Sequence, residues 1–474
     1  MKPALQDFIA LTVPRLLSQL DRDPTSPTFG SFDRNFWQYK IRDFSSAILQ
    51  QSSYTLALLY RYQFPGNAYY DNLQIKRWAE AGLAFLGKVQ LADGSFNEYY
   101  PNEHSYPATS FTLFAGTKAY QALKLSDQKP VETFLKAAHW LRTHRETEAL
   151  NQSAAAIAGL LHLSQIIREN WLKREFTKQL DWFLSQQNPE GWFREYGGLD
   201  AGYLSTTLEF LADIYQETQN ESVSQAIEKL LEPLSYLVNP DGSIGGQHTS
   251  RHTTYLCLGG LTQISPRSPL AQALLEKVTS ASVPFWQGLD DRYLTHNLLH
   301  SMIQGLIHWP RPRSALPQLP CDQDHAHYFP QAGIFTRRRK DSFAVVGVKK
   351  GGVFYLWKKH QPAFVHLGWE AKLNQKLITT NWLADWQGKY QQDKLTITGH
   401  FYQPSLQKPS LRSHLFLRIA SLIFGARLIA VLKKILIFST KPTGVTLTRE
   451  IVFSQKAIRI IDDIKSSETL ANLA

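Results

Sequence analysis

Three stretches of the chain concentrate side chains able to hold and react with a sugar. Between Asp93 and Tyr106 lie Glu98, Tyr99, Tyr100, Glu103, His104 and Tyr106. A second stretch carries Trp192, Arg194, Glu195, Tyr196, Asp200 and Tyr203, and a third Gln247, His248, Arg251, His252 and Tyr255. Aromatic faces cover the apolar side of a sugar ring, while carboxylate, imidazole and guanidinium groups bond its hydroxyls and acidic substituents. Brought together, the three would form an aromatic-lined polar cleft. Plainer roles compete with this one. Phe96, Phe193 and Trp192 suit hairpin packing, and Glu98 and Glu195 suit a helix N-terminus, where a carboxylate satisfies free N–H groups. His300 and His308 read as packing residues within helices.

An internal repeat relates these stretches. Phe96/Phe193, Glu98/Glu195, Tyr99/Tyr196, Tyr106/Tyr203 and Thr109/Thr206 all match at an offset of 97 residues, and a third copy of the glycine turn, Asp241-Gly242-Ser243, follows 51 residues after Gly191. A repeat of that length points to a two-helix unit. Each unit has an amphipathic run, a glycine turn, an aromatic and acidic loop, then a more apolar run rich in small residues. Runs of the first kind are 73–89, 131–144, 169–187, 223–238 and 270–283; runs of the second are 45–62, 107–123, 151–166, 204–215, 253–263 and 293–307. The expected architecture is an (α/α) toroid of about six helical hairpins, with the second kind inside and the glycine-turn loops gathered at one mouth.

After Pro310 the helical grammar stops. Pro310, Pro312, Pro317 and Pro320 crowd a stretch read as a linker, 309–328, between a toroid at 1–308 and an antiparallel, β-sandwich-like domain at 329–474. Short β-branched and aromatic runs such as Phe343 to Val348 and Val353 to Trp357 are its strands. A basic apolar insertion at 411–438 interrupts them. It reads either as an element packed on the sheet or as an amphipathic element resting on an anionic membrane.

The charge distribution sharpens that choice. Lysine and arginine number 51 against 40 acidic residues, yet Lys394 to Arg449 holds nine positive charges and no Asp or Glu. The basic residues of the insertion are interleaved with apolar ones and no nucleic-acid-reading motif is present, so nucleic acid is not an expected partner. Two cysteines, Cys257 and Cys321, cannot build a disulfide framework. No signal peptide or uncharged membrane-spanning run is visible, which suggests a cytoplasmic protein that could be peripheral on the inner membrane. No cofactor is implied, and His360 with His366 makes a poor metal pair.

The run Asp93-Gly94-Ser95 with Glu98 and His104, in a helical-hairpin protein with a β-rich second part, resembles the heparinase II/III-like group of polysaccharide lyases. Phe329 to Phe335 resembles that group's entry into its β-sandwich, and Phe364-Val365-His366-Leu367-Gly368-Trp369 sits where the group carries a histidine-rich motif, here with one histidine instead of two. The resemblance implies β-elimination on an acidic polysaccharide, with Glu98 and His104 matching the family loop and His366 the β-domain histidine. Tyr203 or Tyr106 would be the base on the expected loop geometry. The expected catalytic set is therefore His104, Tyr203, His366 and Glu98. Tyr99, Tyr106, Trp192, Arg194, Glu195, Tyr196, Asp200, His248, Arg251 and His252 are expected to bind the glycan. Hydrolysis by Glu98 and Asp200 is a subsidiary version. The alternative is a non-catalytic or assembly-linked protein of exopolysaccharide or cell-surface glycan production, docked on the membrane through 411–438.

Overall fold

The computed structural model describes residues 2–404, 408–436, 440–455 and 457–474. Its first part is helical: α1 (Lys2–Gln19), α2 (Arg34–Trp37), α3 (Ser52–Arg61), α4 (Leu73–Val89), α5 (Tyr106–Ala122), α6 (Gln128–Thr143) and α7 (Leu150–Ile166). There follow α8 (Asn170–Ser185), α9 (Ala201–Thr218), α10 (Glu221–Tyr236), α11 (Leu258–Ile264), α12 (Pro269–Thr279), α13 (Asp291–Tyr293) and α14 (Leu299–Ile307). Helices α3, α5, α7, α9, α11 and α14 pack in that order, and α14 returns to α3, so the inner ring closes. Outside it lie α4, α6, α8, α10 and α12, with α1 packed on α14.

Composition decides the layer. On α7 every residue from Leu150 to Ser164 is buried, because an inner helix has neighbours on all sides. On α8 burial is confined to Leu172, Glu175, Gln179, Leu180 and Phe183, the single stripe expected of an amphipathic helix with one face on the core. The repeat-related glycines also match in conformation. Gly94 has φ +96° and Gly191 φ +91°, and a Cβ on either would lie 2.2 or 2.1 Å from the carbonyl oxygen of Lys136 or Lys229. Only glycine serves such a left-handed turn pressed on a neighbouring helix.

Two inner runs differ from expectation. The run beginning at Thr253 becomes helical only at Leu258. The run from Tyr293 is broken: His296 is extended (φ −107°, ψ 117°) and Asn297 has φ 61°.

The second part holds two antiparallel sheets. The first orders β1 (His325–Phe329), β2 (Ile334–Arg339), β3 (Ser342–Gly347), β4 (Val353–Lys358) and β5 (Gln361–His366) consecutively. The second comprises β6 (Glu370–Leu373), β7 (Lys376–Thr379), β8 (Gln387–Gln391), β9 (Lys394–Pro404), β10 (Thr440–Phe453) and β11 (Ile458–Lys465), in the order β11-β10-β9-β7-β6, with β8 also on β9. Strand β1 draws its first residues from the stretch read as linker. Side-chain alternation gives the first sheet two buried faces. Ala344, Val346 and Phe354 join the core shared with the second sheet, while Phe343, Val345 and Trp357 join the core of the helical ring.

Between β9 and β10 the basic insertion forms two helices, α15 (Leu411–Phe424) and α16 (Arg427–Leu436). Residues 437 and 438, assigned to the same insertion, lie outside the described residues. Among the described residues no helix is long and apolar enough to cross a membrane.

Candidate active site

Each inner helix sends residues from its N-terminal end, or from the segment just before it, to one mouth of the ring. There a cavity of about 110 Å³ is lined by Ile48 ahead of α3, Glu98 and Tyr99 ahead of α5, and Asn151 and Gln152 on the first turn of α7. Tyr203 and Thr206 come from α9, Tyr255 from the segment before α11, and Arg292, Tyr293, His296 and Asn297 from the broken segment before α14. Helix N-termini carry partial positive charge, and the first turns of α5, α7 and α9 line this cavity, which favours an anionic ligand.

Most polar groups here are held by one another. Arg292 Nη2 donates to Glu98 Oε1 at 2.6 Å, and Ser105 Oγ donates to Glu98 Oε2 at 3.0 Å. The Arg292 guanidinium also lies over the Tyr99 ring, 5.0 Å from its centre. Glu103 Oε2 accepts from the backbone N–H groups of Glu98 and Tyr99 at 2.7 and 2.6 Å, fixing the loop. Burial, and then the neighbouring Glu98 carboxylate, push the Glu103 carboxyl up to about 8. Tyr196, Tyr203, Tyr255, Tyr293 and His296 form a chain of rings at centre distances of 5.5 to 6.5 Å.

Three of the lining side chains are set by their surroundings. The Tyr203 hydroxyl is raised well above the ordinary phenol range, first by burial and then by Tyr293 and Tyr196. His296 is pushed down to about 3 by burial, with Arg292 and His300 adding to the effect, so its ring is neutral at physiological pH. Gln51 Nε2 donates to the Ile48 carbonyl at 2.9 Å and contacts His296 Nδ1 at 3.2 Å. With the amide so oriented, Nδ1 accepts and the ring proton resides on Nε2. Asn151 is fixed by Glu195, whose carboxylate accepts its backbone N–H at 2.8 Å and its Nδ2 at 2.6 Å. Two buried acceptors lining the cavity, Gln152 Oε1 and Asn297 Oδ1, have no hydrogen-bond partner among the described residues. Buried acceptors are rarely left unpaired, and a polyhydroxylated ligand would supply their donors.

No protein-family model matches the sequence, and no curated protein matches it either. Solved structures do resemble it. The chondroitin AC lyase of Streptomyces coelicolor A3, solved in complex with chondroitin sulphate, superposes with a TM-score of 0.52 at 11% identity, covering 84% of this chain and 67% of that one. A point mutant of the same lyase gives 0.50 at 10% identity, with the same coverage of 84% and 67%. The chain has a polysaccharide-lyase-like fold. Heparan sulfate lyase HepC of Pedobacter heparinus matches more loosely, with a TM-score of 0.45 at 10% identity over 96% of this chain and 68% of that one.

On this lyase-like frame Glu98, Tyr99, Tyr196 and Tyr203, singled out in the sequence, line one cavity. Arg251 stands at its edge, 4.5 Å from the Tyr196 ring centre. Other expected site residues serve the scaffold. Tyr106 is buried against Trp140, and Trp192 is buried with Nε1 on Glu190. Glu195 positions Asn151 rather than facing the cavity. Asp200 caps α9 through the Tyr203 N–H at 3.2 Å and gathers the third loop through Thr249 Oγ1 and the backbone N–H groups of Arg251 and Thr253. Its carboxylate is buried among these donors and does not line the cavity that Glu98 lines.

The expected histidines also lie elsewhere. His104 Nδ1 bonds Asp93 Oδ2 at 2.6 Å and Ser95 Oγ at 2.8 Å, bracing the glycine turn. His248 is buried against Tyr355 of the first sheet, and His252 Nε2 is 2.7 Å from Lys350 Nζ. Arg194 is largely exposed beside Glu148. His366 stays within the β domain, between Arg449 and Trp369, and does not line the cavity. The sequence reading passed over Asn151, Gln152, Arg292, Tyr293, His296 and Asn297. Their signal was Arg292-Tyr293 and His296-Asn297 crowding the start of an otherwise apolar run.

Proposed function

We propose that this protein cleaves an acidic polysaccharide by β-elimination at the mouth of the ring. The observation that carries the reading is the unpaired acceptors Gln152 Oε1 and Asn297 Oδ1 sharing one cavity with Tyr203, Arg292 and His296. A uronate carboxylate would be met by converging helix N-termini, by the Arg292 guanidinium and by the His296 Nε2–H, which together make the C5 proton removable. Tyr203, as phenolate, takes that proton. The C5–H electron pair becomes the C4–C5 double bond, the C4–O bond breaks, and the departing oxygen takes the proton from Tyr203. Glu98 holds Arg292 in place, and His104 braces the loop that carries Glu98.

Among polysaccharide lyases we assign the chain to the heparinase II/III-like group, on the Asp93-Gly94-Ser95, Glu98 and His104 run. The single His366 departs from that group's motif and has no part in this mechanism. The decisive assay offers purified protein hyaluronan, chondroitin sulfate, heparan sulfate, alginate and polygalacturonate. Unsaturated, ultraviolet-absorbing ends from at least one are expected, and their absence from all would overturn the reading. The alternative, a membrane-docked protein of surface-glycan assembly, draws support from the exposed apolar faces of α15 and α16, and the two readings are compatible.

A further inference from the structure

Helix α15 is amphipathic the wrong way round for a packed helix. Its small residues Ala420 and Ser421 are buried, while Leu415, Phe416, Ile419, Leu422, Ile423 and Phe424 are 52 to 72% exposed. At 3.6 residues per turn Leu415, Phe416, Ile419, Leu422 and Ile423 fall within about 120° of one another on one side of the helix, and Phe424 closes its last turn. On α16, Leu428 is buried and Val431 and Ile435 are exposed, so the apolar side continues. A folded protein seldom leaves a patch of this kind to water unless something covers it.

The charge of the segment says what. Lys408, Arg412 and Arg427 are exposed in and beside these helices, within a 56-residue stretch free of Asp and Glu. A second copy pairing through the same side would set like charges against each other. Apolar side chains flanked along the chain by basic residues and no acidic ones are what the surface of an anionic bilayer attracts.

The helix pair is fixed to the rim of the cleft. Arg418 makes a two-pronged ion pair with Asp43 at 2.7 and 2.8 Å, four residues ahead of the Ala47–Gln51 turn that brings Ile48 to the cavity. Gly425, between the two helices, lies against the His104 ring, in the loop that brings Glu98 and Tyr99. We propose that α15 and α16 lay their apolar side on an anionic phospholipid bilayer, holding the mouth of the ring beside that surface. Resting on the glycan-cleaving reading, the substrate is then a uronate-containing glycan anchored in the same membrane.

The test uses the full chain and vesicles of phosphatidylcholine with or without phosphatidylglycerol. Flotation with the anionic vesicles is expected, weakened by salt and reduced about tenfold or more in the Phe416→Asp/Ile423→Asp double variant, whose circular dichroism should match the parent. Because both native cysteines are buried, single fluorophores can be placed at Ile41→Cys on the rim or Lys124→Cys at the opposite mouth. Nitroxide-headgroup lipid should quench the first and spare the second. Absence of flotation, equal quenching at both positions, or a dimer in light scattering that the double variant dissociates would each overturn the proposal. None of these readouts involves cleavage, so a failed glycan assay leaves the docking result standing and removes only the substrate assignment.

Discussion

Arg292 Nη2 donates to Glu98 Oε1 across 2.6 Å and 194 positions of sequence, joining the last segment of the helical ring to the first of its aromatic loops. Burial raises the Glu98 carboxyl above its ordinary value, against the opposing pull of Arg292. Replacing Arg292 with Ala leaves a buried carboxylate held by the Ser105 and Tyr99 hydroxyls without its cationic partner. Stability should fall by about 1–3 kcal/mol, measured by denaturant unfolding. Adding Glu98→Gln to that variant should restore part of the loss, since the stranded charge is gone.

Tyr203→Phe removes one oxygen from the cavity and leaves the ring in place. Cleavage should drop by about 10²–10⁴-fold with an unchanged melting temperature, followed by the appearance of unsaturated ends. A drop in melting temperature of the same order as that of a core substitution would mean that Tyr203 is structural.

The pH profile separates Tyr203 from His296. With His296 held neutral by a value near 3, no limb should appear at the ordinary imidazole range. With the Tyr203 phenol raised, the rate should climb with pH over roughly 6 to 9, as a phenolate base requires. A limb near neutrality that His296→Gln abolishes would assign the base to the imidazole instead.

Glu103 makes stability depend on pH in a direction opposite to the usual carboxylate. Its value in the folded chain, about 8, lies above the ordinary 4.5, so the folded state binds the proton more tightly. That contribution is complete below about 4.5 and is lost as pH rises through about 8. Glu103→Gln, which imitates the protonated form, should flatten the decline in melting temperature on the alkaline side; an unchanged slope would exclude Glu103 as its source.

Gly191→Ala puts a Cβ about 2 Å from the Lys229 carbonyl oxygen, in a left-handed turn. A loss of more than about 1 kcal/mol is expected, with a similar loss at Gly94. A neutral result at both would show that the turn can relax.

The ring was legible because its units repeat. Gly94 and Gly191 recur at one offset and adopt one conformation, and the contrast between α7, buried all round, and α8, buried on a stripe, was written in their composition. Half the cavity was not legible in this way. Asn151 and Gln152 open an apolar inner helix and so read as core, while the break at His296 and Asn297 carries no glycine or proline to announce it. Tertiary packing overrides helical period there, with Gln51 on the His296 ring and Ser52 Oγ on the Thr295 carbonyl. Loop aromatics misled for the converse reason: Trp192 and Tyr106 are bulky enough to be claimed by the hairpin core. His366 entered through family resemblance, which fixes a place in the sequence and not a distance in space.

The return of α14 to α3 has a temporal consequence. Arg15 with Asp291, Gln51 with His296, Tyr54 with Gln304 and Glu98 with Arg292 are all bonds between early and late parts of the helical chain. The cavity therefore lies where the two ends of the ring meet. As the chain emerges from the ribosome, hairpins can stack one by one, yet the cavity lacks part of its wall until the segment around residue 300 arrives, so a nascent chain has no finished pocket until its circle is shut.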